Sequence, residues 1–588
     1  MAHPASLLAD AVRKAVVDAF GPEHAGADPA VHRSAFADYQ ADVALRLARA
    51  VKRPPLELAE LLAQKVEVAG VCSEVRASRP GFVNFTLERA FLERSVETLA
   101  RDARAGVPPA ERPETVVIDY SAPNVAKEMH VGHLRTTVIG DALARLLEFL
   151  GHRVIRQNHI GDWGTPFGML IEHMLDIGVG ATDELGLFQF TEFYQAARKK
   201  FDEDPAFADR SRKRVVLLQQ GDAETLALWQ RLVDASRVYF RAVYDKLGVL
   251  LEDADIRGES AYNAALPGIA KELEERGIAR VDDGALCVFL PEFTGRDKEP
   301  LPLIVRKRDG GYGYAATDLA ALRYRVETLG ATRLLYVVGA PQHQHLAMVF
   351  AAARKAGWLP DSVRAEHVAF GSILDENRKM FRTRAGESVR LLALLDEAIE
   401  RADRAIREKN PELPEETRKE VARQVGIGAI KYADLSTERI KDYVFEWSRM
   451  LAFEGNTGPY LEYAHARLCS ILRKASESGV VLASELLRGH VPDGVRVELA
   501  EPAERALALE LLDFAAAVDA VGVALQPHRL CSYLYELANK FTAFYEACPV
   551  LRAENPALRD SRLVLAFATG RVLATGLGLL GIAAPARM

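Results

Sequence analysis

Between residues 115 and 384, short β-rich runs alternate with segments of helical periodicity. The runs are TVVIDY (115–120), RVIRQNHIGD (153–162), LPLIVRK (301–307), RLLYVVGA (333–340) and RAEHVAFGS (364–372). Parallel strands need long crossover connections, and these are usually helical. The alternation therefore predicts a Rossmann-like, doubly wound parallel sheet that binds ligands at the carboxyl ends of its strands.

The remaining segments predict a multidomain α/β protein. Residues 1–110 mix helical segments with the strand-like PGFVNFTL (80–87) and end in a proline-dotted linker, which indicates a small α+β domain. The core domain is expected to span 111–450, with a charged helical insertion at about 167–266. After Ser388 the pattern is helical with no convincing strand, so 451–588 is predicted to be an all-α bundle.

Composition excludes few functions. With 49% hydrophobic residues in 588, the chain can bury several cores. We see no apolar run that is long and charge-free enough to cross a bilayer, and the start lacks the pattern of a cleaved signal. The five scattered cysteines form no C-x-x-C pair, so we expect no structural metal, no disulfide framework and a reduced cytoplasm. A net charge of −7 leaves nucleic-acid binding open, because phosphate contacts need only a local basic face.

The stretch SAPNVAKEMHVGHLRTT (121–137) follows the first β-rich run and opens a helix. We expect His130 and His133 on one face of the first helical turn. Free N–H groups at a helix N-terminus attract phosphate, and histidine donors can follow charge that develops on it. Gly132 would let a flat base lie against the backbone. A satisfied surface pair and half a metal site remain alternatives.

A second segment, GSILDENRKMFRTRAGESVRL (371–391), concentrates four cations in a glycine-flanked loop. These cations are Arg378, Lys379, Arg382 and Arg384. Such a run is either a solvated basic loop or a mobile clamp over a triphosphate. The residues alone do not decide between the two.

In this order, HVGH and KMFRT resemble the HIGH box and the KMSKS loop of class I aminoacyl-tRNA synthetases. Further blocks are similar to the arginyl-tRNA synthetase family: SAPNVAKEMHVGHLRTTVIGDALAR, QNHIGDWGTPFGMLI, YAATDLAAL, VVGAPQHQHL, EGNTGPYLEYAHAR and LLGIAAPARM. The resemblance covers nearly the whole chain and is weakest in the insertion. It implies ATP-dependent activation of L-arginine, with Mg²⁺, and transfer to the 3′ end of tRNA(Arg) by a monomeric enzyme.

The resemblance also implies roles for individual residues. The predicted catalytic residues are His130, His133, Lys379 and Arg382. The predicted ATP-binding residues are Asn124, Lys127, His130, Gly132, His133, Lys379 and Met380. The predicted arginine-binding residues are Asp119, Asn124, Tyr314, Asp318 and Gln342. Phe381 and Arg382 replace the family's serine and second lysine, which leaves open whether Lys127, Lys379 or Arg382 stabilises the pyrophosphate.

The residues of the predicted arginine pocket suit a guanidinium. Tyr314 and Asp318 are four apart at a helix start and so share one face. Carboxylates such as Asp119 and Asp318 match the planar donor fork of a guanidinium. The alternative for Asp318 is a helix cap beside Thr317.

The flanking domains resemble tRNA-binding modules. In the N-terminal domain, Phe82 could stack on an unpaired base and Asn84 could bond its edge. In the helical tail, Tyr460, Tyr463, His465 and Arg467 could face nucleotides. The alternative for Phe82 is a core strand residue, and aromatic residues at helical spacing, as in the tail, more often belong to a protein core.

Two other functions share part of this evidence. A nucleotidyltransferase that adenylylates a small molecule shares the H-x-G-H turn, but such enzymes are usually much shorter. A catalytically silent, tRNA-binding paralogue is favoured only by the altered KMFRT loop.

Overall fold

The structure, a computed structural model, describes residues 3–178, 190–295, 299–381 and 389–588. The predicted catalytic residue Arg382, together with Arg384, lies outside the described residues. The multidomain α/β architecture expected from the sequence is confirmed, with a parallel-sheet core between a small α+β domain and a helical C-terminal domain. The domain boundaries stay predictions.

The core is a four-stranded parallel sheet in the order β11-β10-β5-β6. Its strands are β5 (Thr115–Asp119), β6 (Arg153–Gln157), β10 (Arg333–Tyr336) and β11 (Arg364–His367). Val116, Val117 and Ile118 in β5 are all buried, because helices cover both faces of a parallel sheet. At the carboxyl edge, Asp119 lies in register between Tyr336 and Gln157.

Helices connect the strands of the core sheet. They are α5 (Gly132–Phe149), α10 (Leu266–Glu275), α11 (Tyr314–Glu327) and α12 (His343–Lys355), with 3₁₀ turns at Asp253–Asp255, Glu259–Ala265 and Ala340–Gln342. Between β6 and α10 lie four more helices, α6 (Pro166–Asp176), α7 (Phe190–Glu203), α8 (Pro205–Gln220) and α9 (Ala223–Leu247). The connection that was predicted to be a helical insertion thus consists mainly of helices in its described residues.

The run LPLIVRK does not join the parallel sheet, which corrects the prediction. It forms β9 (Pro300–Arg306) in a separate antiparallel sheet with β7 (Ala279–Asp282) and β8 (Ala285–Thr294). The connection between β8 and β9 is too short for a crossover, so the two strands pair antiparallel.

The N-terminal domain combines four helices with a four-stranded antiparallel sheet, on which the first three of these helices pack. The helices are α1 (Pro4–Phe20), α2 (Val43–Val51), α3 (Pro55–Lys65) and α4 (Arg89–Arg101), with a 3₁₀ turn at Pro22–His24. The strands are β1 (Val31–Arg33), β2 (Tyr39–Ala41), β3 (Cys72–Ser78) and β4 (Phe82–Leu87). The predicted strand PGFVNFTL is therefore β4.

The C-terminal region is helical apart from one short strand. Its helices are α13 (Leu391–Lys409), α14 (Glu415–Leu435), α15 (Trp447–Met450), α16 (Gly458–Glu477), α17 (Val481–Leu487), α18 (Pro502–Leu512), α19 (Phe514–Ala524), α20 (His528–Ala547) and α21 (Pro556–Leu579). β13 (Tyr443–Val444) pairs parallel with β12 (Ile373–Leu374), so the expectation of no strand after Ser388 is wrong. A two-residue strand is too short to give a recognisable alternation.

Helix α21 is long and apolar enough to cross a membrane by length and composition, contrary to our reading of the sequence. However, 78% of its apolar window is buried inside the protein. This burial is typical of the core helix of a globular bundle.

Helix α5 joins the core sheet to the C-terminal helices. It packs against α14, α19 and α21. Arg135, in the first turn of α5, pairs with Asp434 of α14 at 3.2 Å and donates to the carbonyl of Lys441 at 2.9 Å. Both side chains of this ion pair are almost fully buried, so the pair fixes α14 on the helix that follows β5.

A buried carboxyl lies within the helical bundle. Glu462 of α16 is fully buried, and neither of its oxygens has a hydrogen-bond partner among the described residues. Burial raises the pKa of Glu462 well above its usual value, so the side chain is a neutral acid.

We expect Glu462→Gln to stabilise the protein at pH 8 and to flatten its pH dependence. The native carboxyl holds a proton that the unfolded chain loses above about pH 4.5, so stability falls with rising pH by up to about 1.4 kcal/mol per unit. Glutamine has the same shape and cannot ionise. Thermal unfolding between pH 5 and 8 measures the effect.

The matched control for this prediction is Glu477→Gln, at the exposed end of the same helix. It should leave the slope of melting temperature against pH unchanged. Equal slopes for wild type and Glu462→Gln would contradict the prediction.

Candidate active site

The turn that carries the HVGH motif (130–133), called the signature turn below, lies between the carboxyl end of β5 and the start of α5. Helix α5 begins at Gly132, so His130 precedes the helix and only His133 lies in its first turn, which corrects the predicted placement. The two rings are nonetheless adjacent, with centroids 4.2 Å apart. A Cβ on residue 132 would lie 2.7 Å from Cε1 of His130, so the ring of His130 itself requires glycine at this position.

Backbone amides fix the tautomers of both histidines. Nδ1 of His130 accepts from the amide of Gly132 at 3.0 Å, and Nδ1 of His133 accepts from the amide of His130 at 3.1 Å. A neutral imidazole that accepts at Nδ1 carries its proton on Nε2. Both rings therefore present an Nε2–H donor.

Burial keeps these rings uncharged. Desolvation, and secondarily the charge of Lys127, lowers the pKa of His130. Desolvation lowers the pKa of His133 to about 3, with His130 adding to the effect. At neutral pH the turn is a pair of neutral hydrogen-bond donors at a helix N-terminus, which suits a phosphate.

The predicted clamp begins as a hairpin. Leu374 and Met380 form an antiparallel bridge, and Oδ1 of Asp375 accepts from the amides of Asn377 and Lys379. Arg378 takes the left-handed turn conformation, with φ of 60°. The side chain of Lys379 is exposed at this turn, where it is free to reach an anion.

Phe381, which replaces the family's serine, anchors the base of the hairpin. Its ring stacks on Phe445 with centroids 4.7 Å apart, and Phe445 meets Trp447 edge-on at 4.8 Å. Phe381 therefore adds an aromatic contact between the hairpin and the C-terminal region.

The exit of the clamp loop pairs with the signature turn. The amide of Val131 donates to the carbonyl of Val389 at 2.9 Å, and the amide of Leu391 donates to Met129 at 2.9 Å. The two motifs, more than 200 residues apart in sequence, are thus joined by backbone hydrogen bonds. The exposed Nζ of Lys127 lies 4.3 Å from the ring centre of Tyr194 in α7.

The predicted arginine pocket lies at the start of α11. Tyr314 is 77% exposed, and Asp318 lies one turn further along on the same helix. Gly313 occupies the N-cap position, so the alternative of Asp318 as a helix cap is wrong. Instead, Oδ2 of Asp318 pairs with Nε2 of His345 in α12 at 2.5 Å.

Asp119, also predicted for this pocket, already pairs with an arginine of the chain. Its Oδ2 accepts from Arg325 at 2.7 Å, and the same guanidinium donates to Gln157 at 3.0 Å. Arg325 is 1% exposed. In the structure Asp119 therefore holds α11 against the sheet edge, and its role toward substrate stays a prediction.

Sequence reasoning missed two acids next to Asp318. Burial and the charges of Asp162 and Asp318 raise the pKa of Glu259 to about 8. No cation pairs with the Glu259 carboxylate in the part of the chain that is described. Asp162 follows β6 and accepts from Ser260 at 2.7 Å. A Cβ on Gly258 would collide with Asp162, so the triplet GES (258–260) was the available signal.

Asn124 and Gln342 complete the predicted set at this sheet edge. Asn124 bridges to Gly161 in the loop after β6, where the amide of Val125 donates to Gly161 at 3.0 Å. A Cβ on Gly161 would lie closer than 3.0 Å to Oδ1 of Asn124. Gln342 is exposed in the 3₁₀ turn that leads into α12.

The predicted tRNA-binding residues of the N-terminal domain lie on β4. Phe82 is half-buried. Asn84 is 2% exposed, and its amide donates to Oγ of Ser78 at 2.7 Å. A base that read Asn84 would have to replace this hydrogen bond, so its role stays a prediction.

In the C-terminal domain, the predicted residues of α16 separate into core and surface. His465 is buried and donates to the carbonyl of Pro585 at 3.0 Å, and the hydroxyl of half-buried Tyr460 donates to Asn539 at 3.2 Å. Tyr463 and Arg467 line a cavity of about 950 Å³. The guanidinium of Arg467 lies 4.1 Å from the ring centre of Tyr545.

Known proteins match this chain along its whole length. Residues 96–447 match the family described as tRNA synthetases class I (R), catalytic domain. This match covers more than half of the chain and places it among the class I aminoacyl-tRNA synthetases. Residues 6–87 match the arginyl tRNA synthetase N terminal domain, and residues 461–588 match the DALR anticodon binding domain.

Individual relatives agree. The arginine–tRNA ligase of Thermobifida fusca (strain YX) is 55% identical over 100% of both chains. The structure resembles the arginyl-tRNA synthetases of Plasmodium falciparum (TM-score 0.84, 28% identity, 100% of both chains) and Thermus thermophilus (TM-score 0.81, 29% identity, 99% and 100%). The chain belongs to the arginyl-tRNA synthetase family, and its reaction is the ligation of arginine to tRNA.

We expect Gly161→Ala to lower kcat/KM for arginine activation by about tenfold. The new methyl group would displace the Asn124 side chain, and 1.4 kcal/mol of lost positioning equals a factor of ten. Steady-state kinetics of pyrophosphate exchange measure this effect. Gly268→Ala in α10, where a Cβ meets open space, is the control and should keep wild-type kinetics. Unchanged kinetics in Gly161→Ala would exclude a role for Asn124.

Proposed function

We propose that the sheet edge between β6, β5 and β10 is the adenylation site, where L-arginine reacts with Mg-ATP. One observation carries the proposal: neutral histidine donors lie on the same sheet edge as Asp318 and Glu259, two acids that pair with no arginine or lysine among the described residues. The donors suit the phosphates of ATP, and the carboxylates suit a guanidinium. Anionic ATP and cationic arginine would thus bind next to each other, each beside groups that suit its charge.

In the first step, an oxygen of the arginine carboxylate attacks the α-phosphorus of ATP. A new O–P bond forms, the bond to the β-phosphate oxygen breaks, and pyrophosphate leaves with the electron pair. His130 and His133 donate their Nε2–H groups to the phosphates, and Lys379 and Arg382 neutralise the leaving pyrophosphate. Catalysis in this scheme comes from positioning and charge stabilisation.

ATP is proposed to enter as its magnesium complex. Mg²⁺ keeps several waters and is commonly held by substrate phosphates together with one or two carboxylates. The described residues contain no cluster of three or more histidine, cysteine or acidic side chains that could cage a metal. This arrangement fits an ion carried on the triphosphate, where it would neutralise phosphate charge.

In the second step, the 3′-terminal ribose hydroxyl of tRNA attacks the carbonyl carbon of arginyl-adenylate. An ester bond forms, the bond to the phosphate oxygen breaks, and AMP leaves. The hydroxyl proton departs to the phosphate or to solvent. The carboxylates of the pocket would hold the guanidinium and so keep the arginine in place through both steps.

Selectivity for arginine is assigned to Asp318 and Glu259, with Tyr314 beside them. Two carboxylates can satisfy a forked guanidinium, whereas a lysine ammonium is a point charge that leaves acceptors unpaired. Unpaired buried acceptors are costly, so rejection in one step can be strong.

For tRNA, we propose that the cavity lined by Tyr463 and Arg467 receives unpaired anticodon nucleotides. Exposed Tyr463 offers a stacking surface, and Arg467, Arg473 and Lys474 supply positive charge. Phe82 and Asn84 of the N-terminal domain are proposed as a second contact. We further propose that the enzyme acts as a monomer in the cytoplasm.

The adenylation proposal is tested by arginine-dependent exchange of labelled pyrophosphate into ATP, with and without tRNA(Arg). We expect exchange that depends on arginine. Exchange only with tRNA would mean that tRNA completes the site. No exchange in either condition, by a folded protein that binds tRNA, would overturn the proposal and favour the silent paralogue.

In the same assay, Lys379→Ala should lower kcat by about a hundredfold, because it removes a charge aimed at the leaving group. Lys419→Ala, whose lysine is exposed on α14 and pairs with Glu415, is the control and should retain full activity. A wild-type rate for Lys379→Ala would assign the leaving pyrophosphate to another cation.

For the cavity, we expect Arg467→Ala to raise KM for tRNA about fivefold and to weaken its dependence on salt, since one phosphate contact is lost. The control Arg488→Ala removes an exposed arginine of the same domain that pairs with Glu485. It should leave KM for tRNA unchanged. Aminoacylation kinetics at two salt concentrations measure both, and equal behaviour of the two variants would exclude the cavity.

A further inference from the structure

We propose that His345 is a positioning residue that occupies the place of the substrate guanidinium at Asp318 and releases a proton when arginine binds. The inference rests on the proposed assignment of Asp318 to the arginine pocket. It adds a titratable group that none of the motifs singled out.

The contact between His345 and Asp318 is short and joins two helices. Nε2 of His345, in the first turn of α12, lies 2.5 Å from Oδ2 of Asp318 in α11. The two side chains are only 31% and 25% exposed. Short, partly desolvated contacts of this kind are typical of charge-assisted hydrogen bonds. The hydrogen bond raises the pKa of His345 above its usual value, against the opposing effect of burial.

The other charges around Asp318 leave His345 as its compensating cation. Glu259, in the 3₁₀ turn before α10, brings no compensating cation, and burial together with the charges of Asp162 and Asp318 raises its pKa to about 8. Tyr336 at the end of β10 also senses Asp318. Arg325 is already paired with Asp119. Among the described residues, no other cation forms an ion pair with Asp318.

His343 and Tyr314 lie near this pair but do not replace it. His343, two residues before His345, stacks on His367 with ring centroids 5.4 Å apart. Tyr314 is mostly exposed at the start of α11. The charge balance at Asp318 is therefore set by His345 on one side and by the neighbouring acids on the other.

Arginine binding would bring a second cation to the same carboxylate. A guanidinium keeps its proton at any physiological pH, so only the imidazole can give one up. Before binding, His345 is protonated, Asp318 is ionised and arginine is a cation in solution. After binding, His345 is neutral, Asp318 pairs with the guanidinium and one proton has been released to solvent. Because protonated His345 competes with substrate, arginine affinity should rise with pH through the raised pKa of His345, and deprotonation of Glu259, whose pKa is about 8, should add to the rise at higher pH.

Proton release on binding is measured by titrating L-arginine into the full-length protein by calorimetry, in buffers with different ionisation enthalpies. Glu259 can also release a proton, because a nearby guanidinium lowers its pKa. The informative quantity is therefore the difference between wild type and His345→Gln. At pH 7 we expect the wild type to release more protons than the variant, because the pKa of His345 is raised above its usual value.

The variants separate charge from positioning. Glutamine keeps a hydrogen-bond donor for Asp318, so His345→Gln should bind arginine within about threefold of wild type at pH 8.5 and lose part of the pH dependence. His345→Ala loses the donor as well and should bind about tenfold more weakly at pH 8.5, with a smaller deficit at pH 6, where protonated His345 of the wild type competes with arginine. His32→Gln is the matched control, because it removes another histidine–aspartate pair, with Asp42 at 3.0 Å, in the N-terminal domain. It should keep the wild-type proton release.

Equal proton release by wild type and His345→Gln would overturn the inference and leave the proposed function intact. A flat profile of wild-type arginine affinity from pH 6 to 8.5 would also overturn it, without relying on any variant. Failure of the wild type to bind arginine, with and without tRNA, would instead reject the pocket and the proposed function together.

Discussion

The buried ion pair between Asp119 and Arg325 determines the geometry of the carboxyl edge of the sheet. It ties the last residue of the central strand to α11, the helix that carries Tyr314 and Asp318. Breaking such a pair from one side costs about 3–5 kcal/mol, because the remaining charge is left buried and alone. The pair also neutralises one carboxylate permanently, so that Asp318 and Glu259 remain to attract an external cation.

The two halves of this edge use opposite electrostatic strategies. At the signature turn, desolvation and two backbone amides hold His130 and His133 neutral with their donors outward. At the pocket, burial and the charges of Asp162 and Asp318 raise the pKa of Glu259 to about 8, and His345 is the one cation among the described residues that pairs with Asp318. Neutral donors avoid competing electrostatically with the acidic pocket, so an anionic and a cationic substrate could be held side by side.

The sequence predicted what depends on strong local patterns and failed where tertiary contacts decide. The alternation of strands and helices was sufficient for the parallel sheet, and the two motifs pointed to its carboxyl edge. The alternation could not reveal that LPLIVRK pairs in an antiparallel sheet, because the periodicity of apolar residues does not determine which strand is the partner. Likewise, Asp119 pairs with Arg325, 206 residues away, and Asp318 pairs with His345, 27 residues away. Local sequence spacing does not predict contacts over such separations.

Helix α5 carries His133 in its first turn and, two residues further, Arg135, which is buried against Asp434 of α14. One rigid helix therefore carries both the turn that is proposed to bind phosphate and the buried contact with the helical bundle. If tRNA makes both proposed contacts, at the sheet edge and at the cavity lined by Arg467, the distance between the two contacts is set by the protein. A tRNA that makes both of the proposed contacts would therefore have to match this separation.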